Sequence, residues 1–304
     1  MPKSRHLRDF IAIASSRSLR SAAASLGLTQ PAISRSLQEL EEELGVPLFE
    51  RNPRGVVLTP AGEKYLLRAK VASESLRRGL EEARQFDGDQ RGTVTVMLSS
   101  AAAMGLLAYA YPRFRKAWPA INLRFVDGPF AGVEPRLRSG ELDFYVGPRR
   151  GREQERGYVV QTVSDNARVV IARQGHALSA STSLAQLVDA DWLIAGLSDR
   201  VEDELEAVFS AAGLACPQVR TRAESMIVLI VLLATTDAVA LLPRIWASSA
   251  LFRGVVQTIP VREPLAAPEI VQMHSLNFPL TPAAEHLSVL LQRAAGTPFV
   301  ARGA

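Results

Sequence analysis

The chain has 304 residues, of which 47% are hydrophobic and 22% charged, and its formal net charge is +4. This length exceeds what a single hydrophobic core usually supports, so two or three domains are expected, and the composition excludes a largely disordered protein. A single cysteine excludes an internal disulfide, and the longest apolar run is too short to cross a bilayer, so a cytoplasmic protein without membrane association is predicted.

The segment from Ser18 to Thr59 has the layout of two short helices joined by a tight turn and followed by a hairpin. Ser18 is placed to cap the first helix, and Gly27 is placed to end it. Thr29 is the predicted N-cap of the second helix, and Pro31 falls in its first turn, where a missing N–H is harmless. The apolar positions that recur on one face of this second helix are Ile33, Leu37, Leu40 and Leu44.

The opposite face of the second helix is polar and short of acidic residues, which suits contacts with base edges and phosphates in the major groove. The hairpin that follows offers arginines to the DNA backbone. Basic residues also outnumber the one acid, Asp9, within residues 1–35; a solvated basic surface without a ligand is the alternative. The predicted partner is double-stranded DNA, and the predicted contacts are Ser18, Arg20, Thr29, Gln30, Pro31, Ser34, Arg35, Gln38, Arg51 and Arg54.

A long helix is predicted from Ala61 to Phe86, with charged residues of both signs on its exposed faces. Those charged residues are Glu63, Arg68, Lys70, Glu74, Arg77, Arg78, Glu81 and Glu82. Apolar or small residues recur at steps of three and four, which is typical of a seam for a partner helix. The alternative is a helix that packs on its own domain. The seam consists of Tyr65, Ala69, Ala72, Leu76, Leu80, Ala83 and Phe86.

The polar stretch from Asp87 to Gly92 predicts a domain boundary. Beyond it, strand and helix patterns alternate, which indicates a mainly parallel sheet covered on both faces. The predicted strands are 93–98, 121–127, 142–147, 169–173, 192–195, 238–242 and 269–274. The predicted helices are 107–118, 133–139, 183–188, 203–212 and 225–235.

Polar residues follow several of these strands, where ligands bind in open α/β sheets. Ser99 and Ser100 come directly after the first strand, and their hydroxyls could hold a carboxylate or sulfonate; a plain N-cap is the alternative. Arg200 would complement an anion, and Phe130 would stack on an aromatic body. The full set of predicted ligand-binding residues from such strand ends is Ser99, Ser100, Phe130, Ser198, Arg200 and Ser225.

Catalysis has little support in the sequence. The histidines have no neighbours that suggest a metal site or a triad, and nucleophile-elbow, phosphate-loop and dinucleotide fingerprints are absent. We therefore expect neither an enzyme nor a cofactor. Two alternatives stay open: a dispersed active site, which turnover of a metabolite would reveal, and a solute-binding protein, which a secretion signal would favour.

Three spaced motifs resemble the winged helix of LysR-type transcriptional regulators. They are the A-A-x-x-L-x-x-T-Q-P-A-I-S pattern near Ala23 to Ser34, L-E-x-x-L-G-x-x-L-F-x-R at Leu40 to Arg51, and L-T-x-A-G at Leu58 to Gly62. The resemblance implies that the 61–86 helix joins two chains. It also implies contact of Ser99 and Ser100 with an effector, and places Pro243 beside the effector cleft.

The fold class that the resemblance implies is a multidomain α+β protein. Residues 1–60 would form the winged helix-turn-helix, residues 61–90 the dimerisation helix, and residues 91–304 an effector domain similar to periplasmic binding proteins. Its first lobe would comprise about 93–162 and 268–304, and its second about 163–267. We expect a homodimer or homotetramer that binds promoter DNA, responds to a small organic effector such as an aromatic or anionic one, and contacts RNA polymerase.

Overall fold

The structure is a computed structural model that describes residues 2–52, 55–126, 132–149, 151, 155–196 and 200–295. The chain divides into two compact units. Unit 1 comprises Met1–Asp89 with Arg138–Glu141, and unit 2 comprises Gln90–Leu137 with Leu142–Ala304.

Unit 1 contains the predicted helix-turn-helix, hairpin and long helix. Its elements are α1 (Ser4–Ser16), α2 (Leu19–Leu26), α3 (Gln30–Leu44), β1 (Phe49–Asn52), β2 (Gly55–Leu58) and α4 (Pro60–Phe86). Phe10 and Ile13 of α1 are fully buried against Ile33 and Leu40 of α3, so the apolar spacing of both helices produces one shared core.

Local signals set the boundaries of these helices. Ser18 caps α2 by accepting a hydrogen bond from Ser21 N at 3.3 Å, and Gly27 ends that helix in a left-handed conformation with φ of 65°. Strands β1 and β2 pair antiparallel, so the hairpin is confirmed. A Cβ on Gly62 would lie 2.1 Å from Leu48 O, so only glycine lets α4 begin this close to the hairpin.

Helix α4 changes character along its length. Its first turns pack on the helix-turn-helix, where the Tyr65 ring lies 5.3 Å from that of Phe10. Further along, Leu76 and Leu80 are 52% and 58% exposed. The expectation that Arg78 lies on an exposed face is wrong, because its side chain is buried and donates to Gly140 O at 2.6 Å.

Unit 2 is built on two five-stranded sheets, ordered β4-β3-β5-β12-β6 and β11-β7-β10-β8-β9. We call the first sheet with its helices lobe 1 and the second lobe 2. Lobe 1 consists of β3 (Gly92–Leu98), α5 (Ser100–Ala117), β4 (Ile121–Val126), α6 (Val133–Arg138), β5 (Phe144–Pro148), β6 (Tyr158–Ser164), β12 (Ile270–Ser275) and α10 (Pro282–Ala295). Lobe 2 consists of β7 (Arg168–Arg173), β8 (Asp191–Ala195), α7 (Arg200–Ala211), β9 (Val219–Ala223), α8 (Met226–Thr235), β10 (Ala238–Pro243), α9 (Ile245–Ser248) and β11 (Val256–Ile259).

Each sheet is covered on both faces, as predicted. In lobe 2, α7 packs on one face and α8 with α9 on the other. The sheets are mixed, with one reversed strand in each: β3 is parallel to β4 and β5, but β12 runs antiparallel to β5 and β6. In the same way β8 is parallel to β9 and β10, but β7 runs antiparallel to β10.

Several element boundaries differ from the prediction. Helix α5 begins at Ser100 and not at Leu107, because Ser99 supplies an N-cap and an alanine-rich first turn follows. The predicted helix at residues 183–188 is a short 3-10 turn over Leu184–Leu187. No helix within the described part of the chain has both the length and the apolar character needed to span a membrane.

Candidate nucleic-acid interface and effector site

Helix α3 presents the predicted polar face outward. Gln30, Pro31, Arg35 and Gln38 are exposed and Ser34 is half-buried, whereas the opposite face buries Ile33 and Leu40 in the core. Thr29 occupies the N-cap position, but its side chain makes no capping hydrogen bond. The exposed first turns of α3 therefore have the layout of a recognition helix that meets the major groove with its N-terminal end.

Polar contacts between α1 and α3, one of them buried, hold this face in place, and sequence reasoning missed them. Asp9 is 3% exposed, and its carboxylate accepts a hydrogen bond of 2.6 Å from Ser36 Oγ on the inner face of α3. One turn further along, Glu39 contacts His6 Nε2 at 3.2 Å and accepts from Arg5 Nη2 at 2.9 Å. The Arg5 contact is the main reason why the pKa of Glu39 lies below its ordinary value.

The remaining predicted DNA contacts surround α3. Ser18 is half-buried and Arg20 exposed at the start of α2. Gln38 donates to Glu42 Oε1 at 2.8 Å, so an acidic residue adjoins the far end of the polar face. Arg54 and the Arg51 side chain lie outside the described residues.

The hairpin behind these arginines is tied to α3. Glu41 Oε1 accepts from Leu48 N at 2.6 Å and from Phe49 N at 3.1 Å, so a carboxylate of α3 fixes the start of β1.

In lobe 1, the two candidate serines have different roles. Ser99 Oγ accepts from Ala102 N at 3.3 Å and caps α5, so the plain N-cap interpretation holds for this hydroxyl. Ser100 is the first residue of the 18-residue helix and is half-buried. Both lie at the carboxyl edge of the β3-β4-β5 strands, where α5 directs its unpaired N–H groups.

In lobe 2, the structure brings Ser225 and Pro243 to one edge of the sheet. Ser225 is an exposed N-cap of α8, two residues beyond the end of β9. Pro243 is buried and ends β10, which runs in the same direction as β8. Phe130, Ser198 and the Arg200 side chain lie outside the described residues.

Two further polar residues at this edge were missed. Arg168 begins β7 and pairs in register with Pro243, so it lies at the carboxyl edge of β8, β9 and β10. Asn166 lies in the crossover between β6 and β7 and is 6% exposed. The only sequence signal for these two residues was their position just before a predicted strand. Exposed loop residues occur at the same position, so this signal did not distinguish them.

The two lobes contact each other through α5 and α9. A Cβ on Gly105 would lie 3.7 Å from Ile245 Cγ1, and Met104 packs against the apolar cluster of lobe 2. The described residues contain no group of histidine, cysteine and acidic side chains that could hold a metal ion. The described residues at the sheet edges offer hydroxyls, an amide, a guanidinium group and helix N-termini, and such groups recognise small polar ligands.

Comparison with known proteins agrees with this arrangement. A family model described as the LysR substrate binding domain matches residues 87–296, and one described as the lysR-family bacterial regulatory helix-turn-helix protein matches residues 4–63. The HTH-type transcriptional regulator GbpR of Azospirillum brasilense is 28% identical over 298 residues, which cover 97% of this chain and 87% of that protein.

Solved structures show the same fold over nearly the whole chain. Full-length OxyR C199D from Pseudomonas aeruginosa has a TM-score of 0.71 at 23% identity, with 99% of this chain and 96% of that chain covered. Full-length CbnR complexed with its target DNA has a TM-score of 0.55 at 21% identity, with 96% and 99% covered. The chain thus belongs to the LysR-type family of DNA-binding transcriptional regulators, with a C-terminal domain that binds a small-molecule effector.

Proposed function

We propose that this regulator recognises its promoter through the exposed first turns of α3, assisted by Ser18, Arg20 and the arginines of the hairpin. The observation that carries this proposal is the division of α3 into a buried apolar face and an exposed face bearing Gln30 and Arg35. Those two side chains can make paired hydrogen bonds to adenine and guanine respectively. The likeness to CbnR, which was solved on its target DNA, supports the same use of unit 1.

The test is recovery and footprinting of genomic fragments bound by the full chain. Gln30→Ala and Arg35→Ala should each weaken binding to the specific site and reduce the preference for particular bases at the contacted positions. The matched control is Arg84→Ala, which removes the same charge from the last turn of α4, about 36 Å along that helix from its start. Equal affinity of the wild type for the recovered site and for random DNA would contradict the proposal.

We further propose that two chains associate through the exposed part of the α4 seam, giving a dimer or a dimer of dimers. Leu76, Leu80 and Phe86 are all more than half exposed in the single chain. Apolar side chains at this spacing on one face of a helix are stabilised by a partner helix. A symmetric dimer would place two copies of α3 against the two halves of a promoter site.

The effector, in this proposal, is a small organic molecule held between the carboxyl edges of the two sheets. Ser100 and the start of α5 would act from lobe 1, and Ser225 and Pro243 from lobe 2. Binding there would favour one orientation of the lobes over another and so bias promoter geometry and contact with RNA polymerase. The family is one of regulators and not enzymes, and we propose that the protein acts in the cytoplasm without a cofactor.

A further inference from the structure

The carboxyl edge of the lobe 2 sheet carries two buried hydrogen-bond donors without acceptors among the described residues. Among the described residues, Arg168 Nε and Asn166 Nδ2 are both inaccessible and have no hydrogen-bond partner. Buried N–H groups in folded proteins are nearly always paired, since an unpaired one forfeits its hydration. Two such donors, two residues apart at a strand edge where ligands bind, indicate a missing acceptor.

The charge balance indicates what kind of acceptor is missing. Arg168 is 12% exposed, and its only ion pair within the described chain is with Glu204 on α7, where Nη2 donates to Oε2 at 2.7 Å. Burial lowers the pKa of Arg168 despite the opposing effect of Glu204, so one carboxylate does not offset the desolvation of this guanidinium. A second negative group at Nε would stabilise it further.

The position of Arg168 follows from the strand directions. Strand β7 is antiparallel to β10, and β10 is parallel to β8, so the first residue of β7 lies at the carboxyl edge. Val170 and Ala172 lie on the same face of β7 as Arg168, because alternate residues of a strand point to the same side, and both pack in the apolar cluster under α7. The guanidinium therefore reaches the second turn of α7, beside the start of that helix.

We propose that Arg168 and Asn166 bind the carboxylate of an organic-acid effector, with Nε and Nδ2 each donating to one oxygen. This inference rests on the proposed effector site and names its ligand class. Asn166 belongs to one of the two crossovers between the lobes, so a carboxylate bound here would link effector binding directly to a segment that must bend when the lobes reorient.

Because Arg168 and Glu204 carry opposite charges, their removal should change carboxylate binding in opposite directions. Arg168→Met removes the anion's partner and should weaken carboxylate binding, whereas Glu204→Gln removes a competing negative charge and should strengthen it. An ion pair that only joins β7 to α7 predicts the same effect for both variants. The matched control is Arg173→Met, at the other end of β7, where the guanidinium pairs with Asp237 Oδ1 at 2.7 Å.

The probes are acetate and benzoate, each compared with its neutral amide at constant ionic strength, and the readout is the unfolding temperature of the full chain. In the wild type the carboxylates should raise this temperature more than the amides do. In Arg168→Met the apparent dissociation constant for benzoate should rise about tenfold or more. Glu204→Gln should lower that constant, and Arg173→Met should leave it unchanged.

The proposal is overturned if acetate and benzoate stabilise the wild type no better than their amides, or if Glu204→Gln weakens benzoate binding. Should Arg168→Met fail to fold, the Glu204→Gln result alone decides. Footprints on the same preparations distinguish a failure of the carboxylate site from a failure of the proposed function. If a neutral ligand changes the footprint and carboxylates do not, the proposed regulatory function is supported and only the anion site is refuted.

Discussion

The exposed seam of α4 predicts how much Leu76 contributes to the proposed dimer. Burying a whole leucine side chain is worth roughly 1.5 to 3 kcal/mol. Leu76 is 52% exposed in the single chain. Burying this exposed half would stabilise the association by about 1 kcal/mol per chain, or about 2 kcal/mol per symmetric dimer. Leu76→Ala should therefore raise the dimer dissociation constant roughly thirtyfold.

Leu76→Glu should do more, because it would place two unpaired carboxylates in the interface. The control is Leu67→Glu. Leu67 is 68% exposed, and nine residues, or about two and a half turns, separate it from Leu76, so it lies on the opposite face of α4. Sedimentation velocity at micromolar concentration measures both. A Leu76→Glu chain that sediments as the wild type does would refute the seam as the interface.

Three other outcomes are expected. Gln30→Ala and Arg35→Ala should each weaken binding to the specific site by about 1 to 3 kcal/mol, measured by footprint titration, and unchanged affinity in both would exclude α3 as the base-reading element. Ser100→Ala should weaken binding of an anionic effector by about 1.5 to 3 kcal/mol in calorimetry, whereas Ser99→Ala should mainly lower the unfolding temperature because that hydroxyl caps α5. Ser36→Ala should destabilise unit 1 by about 1 to 3 kcal/mol in urea unfolding, since the buried Oδ2 of Asp9 loses its donor while Arg8 donates only to Oδ1; an unchanged midpoint would show that water replaces the hydroxyl.

The sequence predicted unit 1 well because local rules determine most of it. Ser18 and Gly27 bound α2 through short-range cap geometry, and the period of Ile33, Leu37 and Leu40 sets which face of α3 is buried. The exposed face then follows from the buried one. The contact between Asp9 and Ser36 could not be predicted in the same way, because those residues are 27 positions apart and each is an ordinary exposed type by composition.

The strands that were missed share one physical property. Strands β6, β9 and β11 all lie at edges of the two sheets, so each pairs on one side only. Edge strands bury less and carry a weaker apolar pattern: β9 reads V-R-T-R-A and exposes three of its five residues. The antiparallel strands β7 and β12 pair with strands distant in sequence, so alternation alone suggested parallel sheets.

Strand β7 shows why the effector edge could not be read from residue types. Arg168 and Arg173 stand at its two ends, and each is paired with a carboxylate. Arg168 is 12% exposed and adjoins the ends of β8, β9 and β10, whereas Arg173 is 35% exposed and adjoins their starts. Helices follow strand ends and present unpaired N–H groups there, so an arginine at that edge is desolvated beside other donors. The difference between the proposed ligand contact of Arg168 and the surface ion pair of Arg173 therefore depends on strand direction, which in turn depends on pairing across the whole sheet.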